Sequence, residues 1–171
     1  MPYPRSLFRL ALPALALLLV LAATPAARAQ KAGQVTSVLQ AFRVVVDPLG
    51  AESFQDATKA NAGDVLEYRL TYENGTAGAV KSLQATLPIP SGTTYVEGSA
   101  RPVAVQASLD GNRFAPVPLM RDEKQPDGKT RRVAVPVKEY RSLRWTVPSL
   151  DAGARTTLVA RVRIQGPATP R

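Results

Sequence analysis

The 171-residue chain contains no cysteine and no histidine. Without thiols there is no disulfide framework, no thiolate metal site and no cysteine nucleophile. Without imidazole there is no histidine base and no histidine-ligated zinc or copper. Helical periodicity is missing too, since no amphipathic helix of three turns can be written beyond the first 29 residues. Aromatic side chains are scarce at 6%, yet 45% of residues are hydrophobic, which suits a globular domain and excludes a disordered tail.

Long hydrophobic runs are limited to one. Arg5 and Arg9 precede the apolar stretch LALPALALLLVLAA at residues 10–23, and Ala27-Arg28-Ala29 supplies the small-x-small pattern that a signal peptidase reads. At 14 residues the run falls short of the ~20 needed to span a bilayer. Residues 1–29 therefore read as a cleaved signal peptide rather than an anchor, and no cysteine follows to carry a lipid. Residues 30–171 are expected to form a single exported domain without a transmembrane span, in the periplasm, outer envelope or cell surface. A chain of that length buries about two thirds of its unfolded surface without disulfides. Export without cysteine suits a bacterial envelope better than the disulfide-dense small domains that eukaryotes secrete.

The period of the remaining sequence is two. In DVLEYRLTY, Leu66, Tyr68, Leu70 and Tyr72 take one side and Val65, Glu67, Arg69 and Thr71 the other, as a half-buried strand requires. The alternation recurs at Val38–Gln40–Phe42–Val44–Val46, Leu83–Ala85–Leu87, Val103–Val105–Ala107–Leu109, Val133–Val135–Val137, Leu143–Trp145–Val147 and Leu158–Ala160–Val162–Ile164. Turn residues punctuate these segments: Pro48-Leu49-Gly50, Asn74-Gly75, Pro90-Ser91-Gly92, Asp110-Gly111-Asn112, Pro126-Asp127-Gly128 and Ala152-Gly153. Short strands without intervening helices predict an all-β fold, an immunoglobulin-like antiparallel β-sandwich of about seven to nine strands. Pro136 places its strand at an edge or breaks it. The polar stretch 48–63 is expected to cross between the sheets.

Two segments resemble a known family. The run GDVLEYRLTYENGTAGAVKSLQATLPIPSGTTYVEGSA at residues 63–100 is similar to the conserved-repeat domain of bacterial surface proteins, domain of unknown function number eleven. The matching residues are Gly63, Asp64, Tyr68, Leu70, Tyr72, Asn74, Gly75, Leu87, Pro88, Gly92, Tyr95, Val96, Gly98 and Ser99. The run LRWTVPSLDAGARTTLVARVRI at residues 143–164 resembles the closing hairpin of that family through Trp145, Leu150, Gly153 and Leu158. The resemblance implies an immunoglobulin-like module of envelope or adhesion proteins. Tandem copies are usual there, whereas one copy points to a small accessory subunit.

No catalytic constellation stands out, because Ser37, Ser82 and Ser108 lie outside any S-x-x-K or G-x-S-x-G arrangement. Asp110, Asp122, Glu123 and Asp127 are interleaved with Arg121, Lys124 and Lys129, which disfavours calcium, so no metal or cofactor is expected. Asn74-Gly75-Thr76 fits a glycosylation sequon and equally a structural turn. Charge is the more informative signal: residues 30–100 hold five basic and seven acidic groups, whereas residues 101–171 hold 14 and six. A basic half favours anionic partners, although a solvated face gives the same asymmetry. If residues 141–147 and 156–164 pair as a hairpin, Arg144 lies opposite or diagonal to Arg161, and Arg163, Lys129, Arg131 and Arg132 extend a basic strip. The strip would contact an anionic envelope polymer or an acidic envelope protein. Nucleic acid is disfavoured, since Trp145 and most tyrosines fall on inward faces and the chain reads as exported. The expected function is thus a noncatalytic structural or interaction module of the bacterial envelope, with a polyanion-binding module as the alternative.

Overall fold

The computed structural model describes residues 33–166, so the expected signal peptide at residues 1–29 lies outside the described residues. Eleven strands occur among the described residues: β1 Val35–Val46, β2 Glu52–Asp56, β3 Val65–Asn74, β4 Val80–Pro88, β5 Thr93–Tyr95, β6 Gln106–Ser108, β7 Ala115–Pro116, β8 Met120–Lys124, β9 Thr130–Ala134, β10 Ser142–Leu150 and β11 Arg155–Ile164. The helical pieces among them are single 3-10 turns at Ala57–Lys59 and Val137–Glu139. The strands outnumber the seven to nine expected because β2, β5, β7 and β8 are too short, or too uniformly exposed, to show alternation. Five of the six expected turn sites fall between strands, and Asn74-Gly75 begins at the last residue of β3. At five of the six a glycine has positive φ, among them Gly50 at +85° and Gly111 at +79°, a region a side chain makes costly.

The pairing is antiparallel throughout and forms three sheets, β2-β1-β3-β11-β5, β4-β10-β6-β7 and the two-stranded β8-β9. Leu70, Leu158, Ala160 and Tyr95 of the first sheet share one core with Ala85, Leu87, Leu143, Trp145 and Ala107 of the second, so the fold is all-β and sandwich-like. Registers show why these residues meet. Leu39, Leu70 and Leu158 lie side by side in one row, and Leu87, Leu143 and Ala107 in another. Alanines at 85, 107 and 160 leave room beside Trp145, the alternation of large and small that dense packing needs. The polar atoms of two core aromatics find partners: Trp145 Nε1 donates to the Pro102 carbonyl at 2.9 Å, and the Tyr140 hydroxyl accepts from the Leu119 amide at 2.9 Å. Tyr140 also stacks on Tyr95, with centroids 6.3 Å apart.

Three expectations are corrected. Residues 141–147 and 156–164 do not pair: β10 runs between β4 and β6, and β11 between β3 and β5, in different sheets. The stretch 48–63 does not cross between layers, since β2 folds back on β1 and the chain re-enters the same sheet as β3. Val133, Val135 and Val137 do not form one strand. β9 ends at Ala134, Val135 is buried and Val137 opens a 3-10 turn, so Pro136 marks a break, as its missing N–H requires.

Candidate interaction surfaces

Inward positions on β3 and β11 fill the core, so the odd-numbered residues of both strands face outward together. Register sets Phe42, Glu67 and Arg161 in one row and Gln40, Arg69 and Val159 in the next. The Glu67 side chain is only 6% exposed, and it survives there as a carboxylate acceptor for Arg69 at 2.7 Å and Arg161 at 2.9 Å. Arg161 also grips Glu52 with two hydrogen bonds of 2.7 and 2.6 Å. These bonds hold the Glu52 carboxyl below its usual range and raise Arg161 further above its own. Arg69 completes the cluster by lying over Phe42 and Phe54, 4.7 and 4.3 Å from the ring centroids. The cluster ties the β1–β2 hairpin to the middle of the sheet.

Arg161 is therefore neutralised by two carboxylates and is not a free cation for a polyanion. The remaining residues of the expected strip are dispersed. Arg144 sits on the second sheet, with its guanidinium 3.5 Å from the Phe114 centroid and its Nε donating to Thr86 Oγ1 at 3.1 Å. Arg163 shares a face with Arg161 and donates to the Gly63 carbonyl at 2.9 Å. Lys129, Arg131 and Arg132 belong to the β8–β9 ribbon. The structure thus brings together Arg161 with Arg163, and the three ribbon cations with one another. The opposition of Arg144 and Arg161 does not exist, because it depended on β10 pairing with β11. Glu52 and Glu67 were missed as partners. Their signal was the outward place of Glu67 in DVLEYRLTY, but which strand supplies the cation depends on sheet order.

The ribbon is almost wholly exposed. Leu119 and Val135 are buried at its neck, joined by the Val135 amide donating to the Leu119 carbonyl at 2.8 Å. Beyond them every residue of β8 and β9 except Val133 is exposed. Register sets Arg132 opposite Asp122 and Arg131 opposite Glu123, so unlike charges face each other across the strands without closing to an ion pair. At the base Arg121 bonds Glu139 at 2.8 Å. A two-stranded ribbon gains little from burial and is marginal by itself, so its order rests on the neck.

The sequon asparagine has a structural role. Asn74 is fully buried, and its Nδ2 donates to the carbonyls of Gly78, Leu150 and Asp151 at 2.8 to 3.1 Å. Its Oδ1 accepts from the amide and hydroxyl of Thr76. The folded chain does not present this nitrogen to a glycosylating enzyme. Ser99, beside an open depression of about 320 Å³ lined by Glu67, Glu97, Arg101 and Arg161, is similarly occupied. Its hydroxyl donates to the Val96 carbonyl at 2.6 Å and accepts from the Arg161 amide at 2.9 Å. No three Asp or Glu side chains converge on a metal position among the described residues, and no helix among them is long and apolar enough to cross a membrane.

No family model matches the chain, and neither a curated protein nor a solved structure is significantly similar to it.

Proposed function

We propose that the protein is an exported, noncatalytic interaction module of the bacterial cell envelope, an accessory subunit of a surface or envelope assembly. In this reading residues 1–29 are removed on export and residues 30–171 form one immunoglobulin-like sandwich of the conserved-repeat kind. The observation that carries the reading is the β8–β9 ribbon, an ordered arm whose residues contribute almost nothing to the core. Ordering about ten residues costs backbone entropy of roughly 1–2 kcal/mol each, and contact with a partner is a use that offsets this. The resemblance supports the fold assignment through residues with structural duties. Asn74, Leu87, Tyr95, Trp145, Leu150 and Leu158 are all buried.

The test compares the exported protein with a variant in which residues 121–133 are replaced by Asn-Gly, each immobilised and exposed to solubilised envelope. Retention of a stoichiometric envelope protein by the intact arm and its loss with the short one is the expected result. Equal retention by both, or by neither, would refute the role of the arm.

The alternative, binding of an anionic envelope polymer, is favoured by one specific feature. Lys129, Arg131 and Arg132 are exposed and make no ion pair among the described residues, unlike Arg161. A polymer held by them should be released by salt as the Debye length shrinks, and by Gln at all three positions.

A further inference from the structure

β2 covers β1 only over residues 42–46, whereas β3 covers it from 35 to 44, so residues 35–41 of β1 have a strand on one side alone. Such an edge invites another strand unless charge, proline, shortness or a kink defends it. The other edges among the described residues are defended, including the one-sided stretch of β10, which contains Pro148, and that of β11, which begins with Arg155. β2 begins with Glu52 and ends with Asp56, β5 has three residues, and β7 has two including Pro116. β4 carries Lys81 and ends at Pro88, and it is kinked at Ser82, where φ is +51° and the cross-strand partner is missing. Charged side chains line both ribbon strands. By contrast, residues 35–41 read VTSVLQA, without a charge, a proline or a bulge. Val38 on the outer face is 58% exposed and Leu39 on the inner face 51% exposed.

We infer that this edge pairs with the same edge of a second copy, antiparallel about a two-fold axis at Val38. The segment is self-complementary in that register. Val38 meets Val38 on the outer face, Leu39 meets Ser37 on the inner face, and Thr36 meets Gln40. Side chains that share a face in each copy share it across the junction, so the first sheets join into one continuous layer. The flanking charges agree. Glu73, paired with Arg155, lies in the row of Thr36, and Arg69, paired with Glu67, lies in the row of Gln40, so the axis brings no uncompensated like charges together. No charge is buried, and both exposed aliphatic side chains are covered.

The absence of cysteine makes the test direct. Directly opposed side chains have Cβ atoms about 4.5–5.5 Å apart, close to disulfide reach. Under mild oxidation the Val38→Cys protein should form a covalent dimer, while Leu49→Cys, at a turn 95% exposed, should not. Sedimentation of the unmodified protein should show a dimer that dissociates on dilution. Val38→Lys, which sets like charges directly opposite, should weaken it at least about tenfold, with near-UV circular dichroism unchanged. A monomer at all concentrations, a dimer indifferent to Val38→Lys, or equal cross-linking at Leu49→Cys would overturn the inference. So would residues 35–41 becoming protected from amide exchange only when a different envelope protein is added. A monomer that still retains an envelope partner through the arm leaves the proposed function standing.

Discussion

Asn74 shows how a single side chain can decide a connection. It donates to the Leu150 and Asp151 carbonyls where the β10–β11 turn begins, and its main chain bonds that turn twice, to Gly153 and Ala154. The turn is thereby anchored on the end of β3, and β11 continues in the sheet of β3 instead of folding back along β10. Asn74→Asp would aim carboxylate oxygens at three carbonyls in a fully buried site. A loss of about 3 kcal/mol is expected, measured by urea unfolding, whereas a loss under about 1 kcal/mol would show that the bonds are dispensable. Asp110 is a second such residue. Backbone amides of Arg113 and Asn112, then the Ser108 hydroxyl and Arg113 side chain, hold its carboxyl far below the usual range, and Arg161 lowers that of Glu52. Carboxyls depressed in the folded state stabilise it fully above the unfolded value of about 4, and this contribution is lost as pH falls through the folded values. Melting temperature should therefore decline from about pH 4 downward, and Asp110→Ala should flatten the decline. An unchanged slope in that variant would contradict this account.

At the level of elements, alternation identified the buried strands and missed the exposed ones. β3, β4, β10 and β11 each place one face in the core, and Leu66, Leu70, Ala85, Leu87, Leu143, Trp145, Leu158, Ala160 and Val162 are buried where the period of two predicts. β2 and β8 have no buried residue at all, so nothing in ESFQD or MRDEK marks a face. β1 alternates but is not half-buried, because the second sheet does not cover it. Periodicity states which way a side chain points and not which strand lies beside it. For that reason the basic strip, built on one assumed pairing, came apart while the core did not. The ribbon provides an element-level prediction. Replacing residues 121–133 with Asn-Gly removes an exposed ion pair and almost no buried area, so stability should change by less than about 1 kcal/mol. A loss of several times that amount would mean that the arm supports the core.

For the whole molecule, the charge asymmetry of the sequence is partly cancelled by folding. Arg155 meets Glu73, and Arg161 meets Glu52 and Glu67, so cations of the second half are paired with carboxylates of the first. The core and the two proposed contact surfaces are thus separate: the two main sheets close over Leu143, Trp145 and Leu158, while the arm and the β1 edge remain outside. Amide hydrogen exchange of the protein, with and without solubilised envelope, tests that separation most directly. Slow exchange is expected in β3, β10, β11 and residues 35–41 of the purified protein, fast exchange in residues 120–134, and a slowing of residues 120–134 alone on addition of envelope. Protection gained in the core strands or in the depression beside Ser99, with the arm unaffected, would contradict the account.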